Sequence, residues 1–476
     1  MAAVTSLVCD SVTRMLIGCP QMRHVVTAIV LAAILAATAG CRPADRGPAT
    51  PENFLLITLD TLRPDHLGCY GYGRNTSPAL DRFAASSTLF LDVTCSMPTT
   101  LPSHVTIFTG LPPSVHGLTR NGMVPGRDLL TVFDLFAERG SRTAAIVSAG
   151  VLQDRFLAGL GFEEVIFDRP RPEVFQIPAD VVSDNALRWL DRYADQSFAL
   201  WLHYFETHEP YTPPAEFAQT FSDGYGGALS DRLETDWLVS LNEPDVVADL
   251  SDADRQHVVD LYDAEIAFLD QQLARVFREL ETRGLLESTM VVIIGDHGQA
   301  HGEAGFWGHG ERLLEPVIKV PMMMRLPGQQ AGRSVVARVE TLDVAPTVVE
   351  VFNFSEMEQR PGRSLVDALL GEGIEAAERR TVVRRDYAAE LERRGLVVHL
   401  GETKGTYYRE PLGQTFHIGR VDGDGGLDGE NFYSPESPTS QWFKADVRRF
   451  LEMDAETGSA VSIQDLEMLR ALGYTQ

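Results

Sequence analysis

The sequence predicts an α/β fold: a mainly parallel sheet with helices packed on both faces. Three observations predict it. Apolar runs of strand length, Phe54–Leu59, Phe198–Tyr204 and Thr289–Ile294, alternate with stretches of helical periodicity. The runs are nearly continuous rather than alternating, as expected of strands covered on both sides. Asp60, His208 and the pair Asp296-His297 each follow the end of a different run. In parallel sheets ligands bind beyond those carboxyl ends.

The elements follow in order. After the Phe54–Leu59 strand, Ser77 caps a helix that has Pro78 inside its first turn. A short strand covers Thr88–Phe90. Thr99-Thr100-Leu101-Pro102-Ser103-His104 is a hydroxyl-bearing turn feeding a helix, with Pro102 suited to the first helical position. Thr100 then sits at the positive end of that helix, where free N–H groups and the dipole favour an anion. Leu130–Arg139 is a helix ended by Gly140, and Thr143–Val147 is a strand. Residues 215–250 are acidic and aperiodic and read as an irregular insertion, a rim or lid. Asp252–Arg283 is a long amphipathic helix with Val258, Leu261, Tyr262, Ile266, Leu269, Leu273 and Phe277 as its core stripe. Lys319–Arg325 is a strand and Asp343–Phe352 a helix. Gly419–Gly429 reads as a hairpin loop rather than a calcium loop, and Asp465–Tyr474 as a terminal helix.

The 476 residues, 44% of them hydrophobic, suffice for one large domain with a smaller addition. The formal charge of −26 disfavours nucleic acid and anionic membrane as partners. An anionic substrate therefore needs a local basic pocket and a metal. Met22-Arg23-His24, the apolar run Val25–Ala37 and the ending Thr38-Ala39-Gly40-Cys41 form an export signal, which places the true start at Met22. The apolar run is too short for a comfortable membrane span. The Gly-Cys ending resembles the bacterial lipoprotein signal, with Cys41 as the lipidated first residue. The expected location is therefore outside the cytoplasm, anchored to the cell envelope through this lipid alone. Residues 1–40 are the signal segment and 41–51 a tether. Cys69 and Cys95 make no disulfide framework.

Six ordered motifs carry a family resemblance: NFLLITLDTLRPDHLGCYGYG from Asn53, TLPSHVTIFTGLPPSVHG, HYFETHEPYTPP, YDAEIAFLDQQL, GDHGQAHGEAGFWGHG and VPMMMRLPG. Together they resemble the sulfatase family of the alkaline-phosphatase superfamily over most of residues 52–352. The resemblance implies an alkaline-phosphatase-like sandwich as the catalytic domain at 52–352. It also implies a small C-terminal α+β subdomain at 353–476, and a metal-dependent ester hydrolase.

Carried over residue by residue, the resemblance makes Asp60, Thr100, Asp296 and His297 the ligands of one divalent ion. Three oxygens and one imidazole favour zinc or manganese, with calcium as the alternative. Thr61 stands where the usual member has a second Asp. Catalytic sulfatases place Cys or Ser at the nucleophile position and convert it to formylglycine; this chain has Thr100, and His104 in place of the motif's Arg. Oxidising a secondary alcohol gives a ketone, so Thr cannot become that aldehyde. Superfamily members with Thr here include phosphodiesterases and phosphoethanolamine and phosphoglycerol transferases, which use a metal-activated hydroxyl.

His208 matches a family histidine that contacts the transferred group, and His309 stands in place of a substrate-binding Lys. Either is suited to stabilising the equatorial oxygens or protonating the leaving oxygen. The family's Lys-Trp-His segment is replaced by Ser148-Ala149-Gly150-Val151. Arg63, near Asp60, is the candidate compensating contact, with His104 as a weaker one beside it. The expected activity is cleavage or transfer of a sulfuric or phosphoric ester by Thr100, phosphoester favoured. The alternative is a non-catalytic sulfatase-fold binding lipoprotein. Retention of Asp60, Asp296 and His297 argues against it, since a silent site needs no metal set.

Overall fold

The structure is a computed structural model. It describes residues 51–374, except 127–128, 170–175, 223, 228, 230–239, 242–249, 311 and 358–359, together with four strands between residues 380 and 420. The signal segment, the tether up to residue 50 with Cys41, most of the 215–250 insertion, most of the 419–429 loop and the expected terminal helix lie outside the described residues.

The main sheet has eight strands: β1 Asn53–Leu59, β2 Thr88–Phe90, β3 Arg142–Ile146, β4 Glu164–Ile166, β5 Phe198–Tyr204, β6 Thr289–Gly295, β7 Met322–Arg325 and β8 Arg333–Val335. Their spatial order is β8-β2-β7-β6-β1-β5-β3-β4. Strand β7 runs antiparallel to both its neighbours, and every other pairing is parallel. The three longest strands, β6, β1 and β5, lie side by side at the centre, so their carboxyl ends open onto one place.

Side-chain alternation along β1 feeds two separate cores. Phe54 and Leu56 pack on one face with Leu101, Val105, Phe108 and Phe133. Leu55, Ile57 and Leu59 pack on the other with Leu80, Trp189, Leu261 and Ile266. The first face is covered by helices Thr100–Thr109, Val132–Glu138 and Val344–Val351. The second is covered by Pro78–Ala84, Ala179–Tyr193 and the 31-residue Asp252–Thr282. The long helix opens with a capping box between Ser251 and Asp254, and all seven residues of its expected stripe are buried. Gly284, at φ 69°, takes the left-handed turn just after it.

Several expectations need adjusting. The helix at the hydroxyl-bearing turn starts at Thr100, which puts Pro102 at its third position rather than its first. The strand expected over Lys319–Arg325 begins only at Met322. A helical turn, Glu315–Ile318, occupies the approach to it. Helix Ala179–Tyr193 was not expected. At 380–420 four antiparallel strands, Arg380–Asp386, Arg394–Leu400, Thr403–Glu410 and Gly413–Arg420, form a meander. This agrees with the antiparallel strands that the resemblance implies for the C-terminal part.

Candidate metal centre and active site

Asp60 is the first residue past β1, and Asp296 and His297 are the first past β6. Because β1 and β6 are parallel neighbours with Leu59 opposite Gly295, both turns leave the sheet at one level. A carboxylate oxygen of Asp60, one of Asp296 and a ring nitrogen of His297 lie within 4.8 Å of one another, all fully buried. His297 Nε2 is 3.7 Å from Asp60 Oδ1 and 3.5 Å from Asp296 Oδ2.

Gly298 lets the second turn lie flat. A Cβ there would collide with the Pro316 carbonyl oxygen. The turn is further held by Gly298 N–H donating to Val317 O at 2.8 Å. Thr61, where the resemblance expects Asp, takes the left-handed region at φ 54°, which is strained for a β-branched residue. Its N–H donates to Asp296 Oδ1 at 3.3 Å and its hydroxyl to the Asp60 carbonyl at 2.8 Å. The hydroxyl of Thr207 donates to that same carbonyl.

Thr100 is fully buried at the first position of its helix. Two contacts tie this helix to the Asp296 turn. Ser103 Oγ donates to the Asp296 carbonyl at 2.7 Å. His104 bonds through Nδ1 to the Thr100 carbonyl at 2.7 Å, and the same nitrogen lies 3.7 Å from Asp296 Oδ2. The helix start offers an anion less than the sequence suggests. Leu101 N–H is taken by Asn121 Oδ1 at 2.9 Å, and Pro102 has no N–H.

The residues present fit a divalent cation. Asp60 Oδ1, Thr100 Oγ1, Asp296 Oδ2 and His297 Nε2 are all buried without a hydrogen-bond partner. Buried polar atoms left unpaired in this way are costly unless something else meets them. The electrostatics agree. Burial raises the Asp60 carboxyl, but a hydrogen bond with His203 and the charges of His297, His208 and His203 outweigh it and hold the group well below its usual range. Burial, reinforced by Asp60, pushes Asp296 well above it. Burial lowers His297 and keeps its imidazole neutral. Its Nδ1 faces the Gly298 carbonyl at 3.1 Å, and since a carbonyl only accepts, Nδ1 carries the hydrogen and Nε2 the lone pair.

A second group lies alongside. Ligand atoms of His208, Glu209 and His309 lie within 4.8 Å of one another. His309 and His208 approach Nε2 to Nε2 at 3.0 Å, and the rings of His309 and His297 are 4.5 Å apart between centroids. Burial raises Glu209, but the charges of His208 and His309 and local hydrogen bonds bring it below its usual range.

Two expected substrate contacts are placed elsewhere. The Arg63 guanidinium is engaged by Asp65 at 2.7 Å, Glu303 at 2.6 Å and the Gln299 carbonyl at 3.1 Å. With two carboxylates it is already neutralised, and it ties the 299–303 loop to the turn after β1. His104 is fully buried and uses both ring nitrogens inside the protein, Nε2 facing Thr58 Oγ1 at 2.9 Å. It lies behind the cluster, packed against Trp201 and edge-on to His203, rather than facing a substrate. His301 lies 3.2 Å from both Arg63 and the Tyr211 hydroxyl.

Two residues of the site were missed. His203, in the interior of β5, sets Nε2 3.3 Å from Asp60 Oδ2 with no solvent exposure. The signal was present: an ionisable side chain inside an otherwise apolar strand. Glu209 was overlooked because His208 drew the reading of its motif.

Comparison with known proteins agrees with this architecture. The family model "Sulfatase" matches residues 52–354. The uncharacterized sulfatase YidJ of Escherichia coli (strain K12) is 23% identical over 376 residues, which span 70% of this chain and 74% of that protein. Among solved structures, BT4656 in complex with its substrate D-glucosamine-2-N,6-O-disulfate superposes with a TM-score of 0.70 at 17% identity, covering 86% of this chain and 100% of that one. The phosphonate monoester hydrolase of Agrobacterium radiobacter superposes with a TM-score of 0.66 at 18% identity, covering 86% and 96%. With more than half its length matched by the family model, and with the fold of these neighbours, the chain belongs to the sulfatase family of ester hydrolases.

Proposed function

We propose that the protein is a metal-dependent hydrolase or transferase of phosphoric esters, with Thr100 as nucleophile. The observation that carries this reading is the Thr100 hydroxyl itself. It is buried, has no hydrogen-bond partner, and sits on a helix tied through Ser103 and His104 to the Asp296 turn. A divalent ion would be held by Asp60, Thr100, Asp296 and His297; when bound it lowers the cost of ionising the hydroxyl and offsets charge on the substrate. Zinc or manganese suits this donor set better than calcium.

The chain's own residues supply the rest. The Thr100 Oγ–P bond forms as the bond from phosphorus to the leaving oxygen breaks, leaving the phosphoryl group on Thr100. Water or an acceptor alcohol then takes it and restores the hydroxyl. His203 keeps Asp60 oriented, and His104 fixes the start of the helix through the Thr100 carbonyl. His208 and His309 offset charge on the oxygens of the transferred group. Phosphate is favoured over sulfate because formylglycine releases sulfate by collapsing to its aldehyde, an exit Thr lacks. With Arg63 neutralised by Asp65 and Glu303, the grip on a small dianion is weak, which favours a diester.

An activity panel tests this reading. Aryl sulfates, phosphate mono- and diesters and phosphonates are assayed with metal-loaded protein and with Thr100→Ala. Phosphodiester turnover above sulfate turnover, abolished in Thr100→Ala, is expected. Robust arylsulfatase activity with little phosphodiesterase activity would overturn the preference.

We further propose export and anchoring at Cys41, on the strength of the Met22–Cys41 pattern. Mass spectrometry of membrane-extracted protein should find a lipidated Cys41 as the first residue. Intact residues 1–40 on a soluble protein would reject it.

A further inference from the structure

Thr61 follows Asp60 directly and holds φ at 54°. For a β-branched residue that conformation is sparsely populated, and it persists only where the surroundings over-determine it. It turns the Thr61 N–H toward Asp296 Oδ1 at 3.3 Å, while the neighbouring Asp60 brings its own carboxylate to the same place. The backbone of this one residue therefore bears on both carboxylates.

What over-determines it comes from the long helix. The Tyr262 hydroxyl donates to the Thr61 carbonyl at 2.9 Å and accepts from the Arg63 N–H at 2.9 Å. One phenol oxygen thus spans the turn on both sides of Leu62. Thr61 and Tyr262 have no solvent exposure and Arg63 is nearly buried, so no bulk water stands in for these bonds.

The phenol is itself held in place. Its ring meets that of His66 edge-on, with centroids 5.0 Å apart. His66 Nδ1 lies 2.7 Å from Oδ1 of Asp263, the next residue of the helix. Tyr72 and Arg74 donate to the other oxygen of that buried carboxylate at 2.6 and 2.7 Å. The hydroxyl therefore faces the turn from a fixed mount, 201 positions away in sequence from Thr61.

We infer that Tyr262 is a positioning residue, which clamps Thr61 in the left-handed conformation and through that turn orients the Asp60 and Asp296 carboxylates for the cation. Without the clamp the Thr61 peptide relaxes to negative φ, which takes its N–H away from Asp296 and re-aims Asp60. The inference rests on the metal set proposed above, and not on the nucleophile or the ester. It differs from core filling in one respect: the clamp matters because Thr resists this conformation. Glycine adopts it readily, so a Thr61→Gly background needs the clamp far less.

The test is a double-mutant cycle read by zinc affinity. Full-length protein stripped with chelator is titrated with zinc chloride in competition with a chromophoric chelator. Tyr262→Phe keeps the ring and removes only the hydroxyl, and should weaken zinc binding by about tenfold or more. In the Thr61→Gly background the same substitution should cost less than about threefold. The same fold-loss in both backgrounds would overturn the inference, because a tyrosine that acts without regard to Thr61 is not its clamp. If Tyr262→Phe folds too poorly to titrate, thermal melting carries the cycle. Thr61→Gly should then restore part of the lost melting temperature, and no restoration overturns the inference. Tight zinc binding by the wild type that Tyr262→Phe leaves intact would overturn the inference and leave the metal set standing. A wild type that binds no zinc would reject the metal set and this inference with it, so the two failures are distinguishable.

Discussion

Ser103 Oγ donates to the carbonyl oxygen of Asp296 at 2.7 Å, and both residues are essentially without solvent exposure. One hydrogen bond therefore joins the helix that presents Thr100 to the turn that presents Asp296 and His297. Ser103→Ala leaves that carbonyl without this donor in a site closed to bulk water, at a cost of about 1–3 kcal/mol. Chemical denaturation of metal-free protein should show the loss, and zinc affinity should fall with it. Unchanged stability and affinity would mean that the helix is placed by its apolar packing alone.

His203 acts on the centre through Asp60. Replacement by Leu removes the contact to Asp60 Oδ2 and should weaken zinc binding by about 10–100-fold, the usual effect of losing a partner behind a ligand. Competition with a chromophoric chelator measures it. His203→Gln, which keeps a donor, should recover part of the affinity. Equal binding by the wild type and His203→Leu would contradict the role given to His203.

His104 gives the metal-free fold a specific acid sensitivity. Burial, with His203 adding to it, pushes the imidazole from 6.5 down to about 3. A depressed folded-state value means that protons favour the unfolded chain. The stabilisation is complete above about pH 6.5 and is lost as the pH falls toward 3. Between those limits the wild type should lose stability with a slope up to about 1.4 kcal/mol per pH unit steeper than His104→Asn. Parallel slopes for the two proteins would show that His104 titrates normally.

Gly298 allows the close approach that sets His297. Gly298→Ala drives a methyl group into the Pro316 carbonyl and must displace the turn or the Glu315–Ile318 segment. A loss of about 1–3 kcal/mol is expected from overpacking, together with reduced zinc occupancy. Thermal melting and elemental analysis read the two effects. Full occupancy with wild-type stability would show that the turn can give way freely.

How much of this could be read from the residues follows from the physics of each element. Strands β1, β5 and β6 were readable because burial on both faces demands an uninterrupted apolar run that ends where the chain meets the site. The long helix was readable from its stripe and its Gly284 stop. Helix Ala179–Tyr193 has Val182, Ala186, Trp189 and Leu190 on its buried side, but no cap drew attention to it: Pro178 at its start makes no side-chain cap. Strand β7 looked longer than it is because Val320 continues its apolar pattern, whereas Pro321 and the preceding turn delay the pairing until Met322.

At the site, turn motifs placed Asp60, Asp296 and His297 together. Neighbourhood in sequence misled for Arg63 and His104. Arg63 follows Asp60 by three residues yet is captured by Glu303, 240 positions away. His104 lies one helical turn after Thr100, so it folds back on the Thr100 carbonyl instead of reaching outward. Such partners come from remote parts of the chain, and no local pattern announces them.

The most direct test of the central claim is a covalent one. Metal-loaded protein is mixed with a phosphodiester, quenched in acid within a turnover and digested, and the peptide containing Thr100 is analysed by mass spectrometry. A phosphoryl ester, or the corresponding alkyl phosphoryl ester, on Thr100 is predicted, with none in Thr100→Ala. Turnover that persists in Thr100→Ala, or an adduct on another residue, would contradict the assignment of Thr100 as the nucleophile.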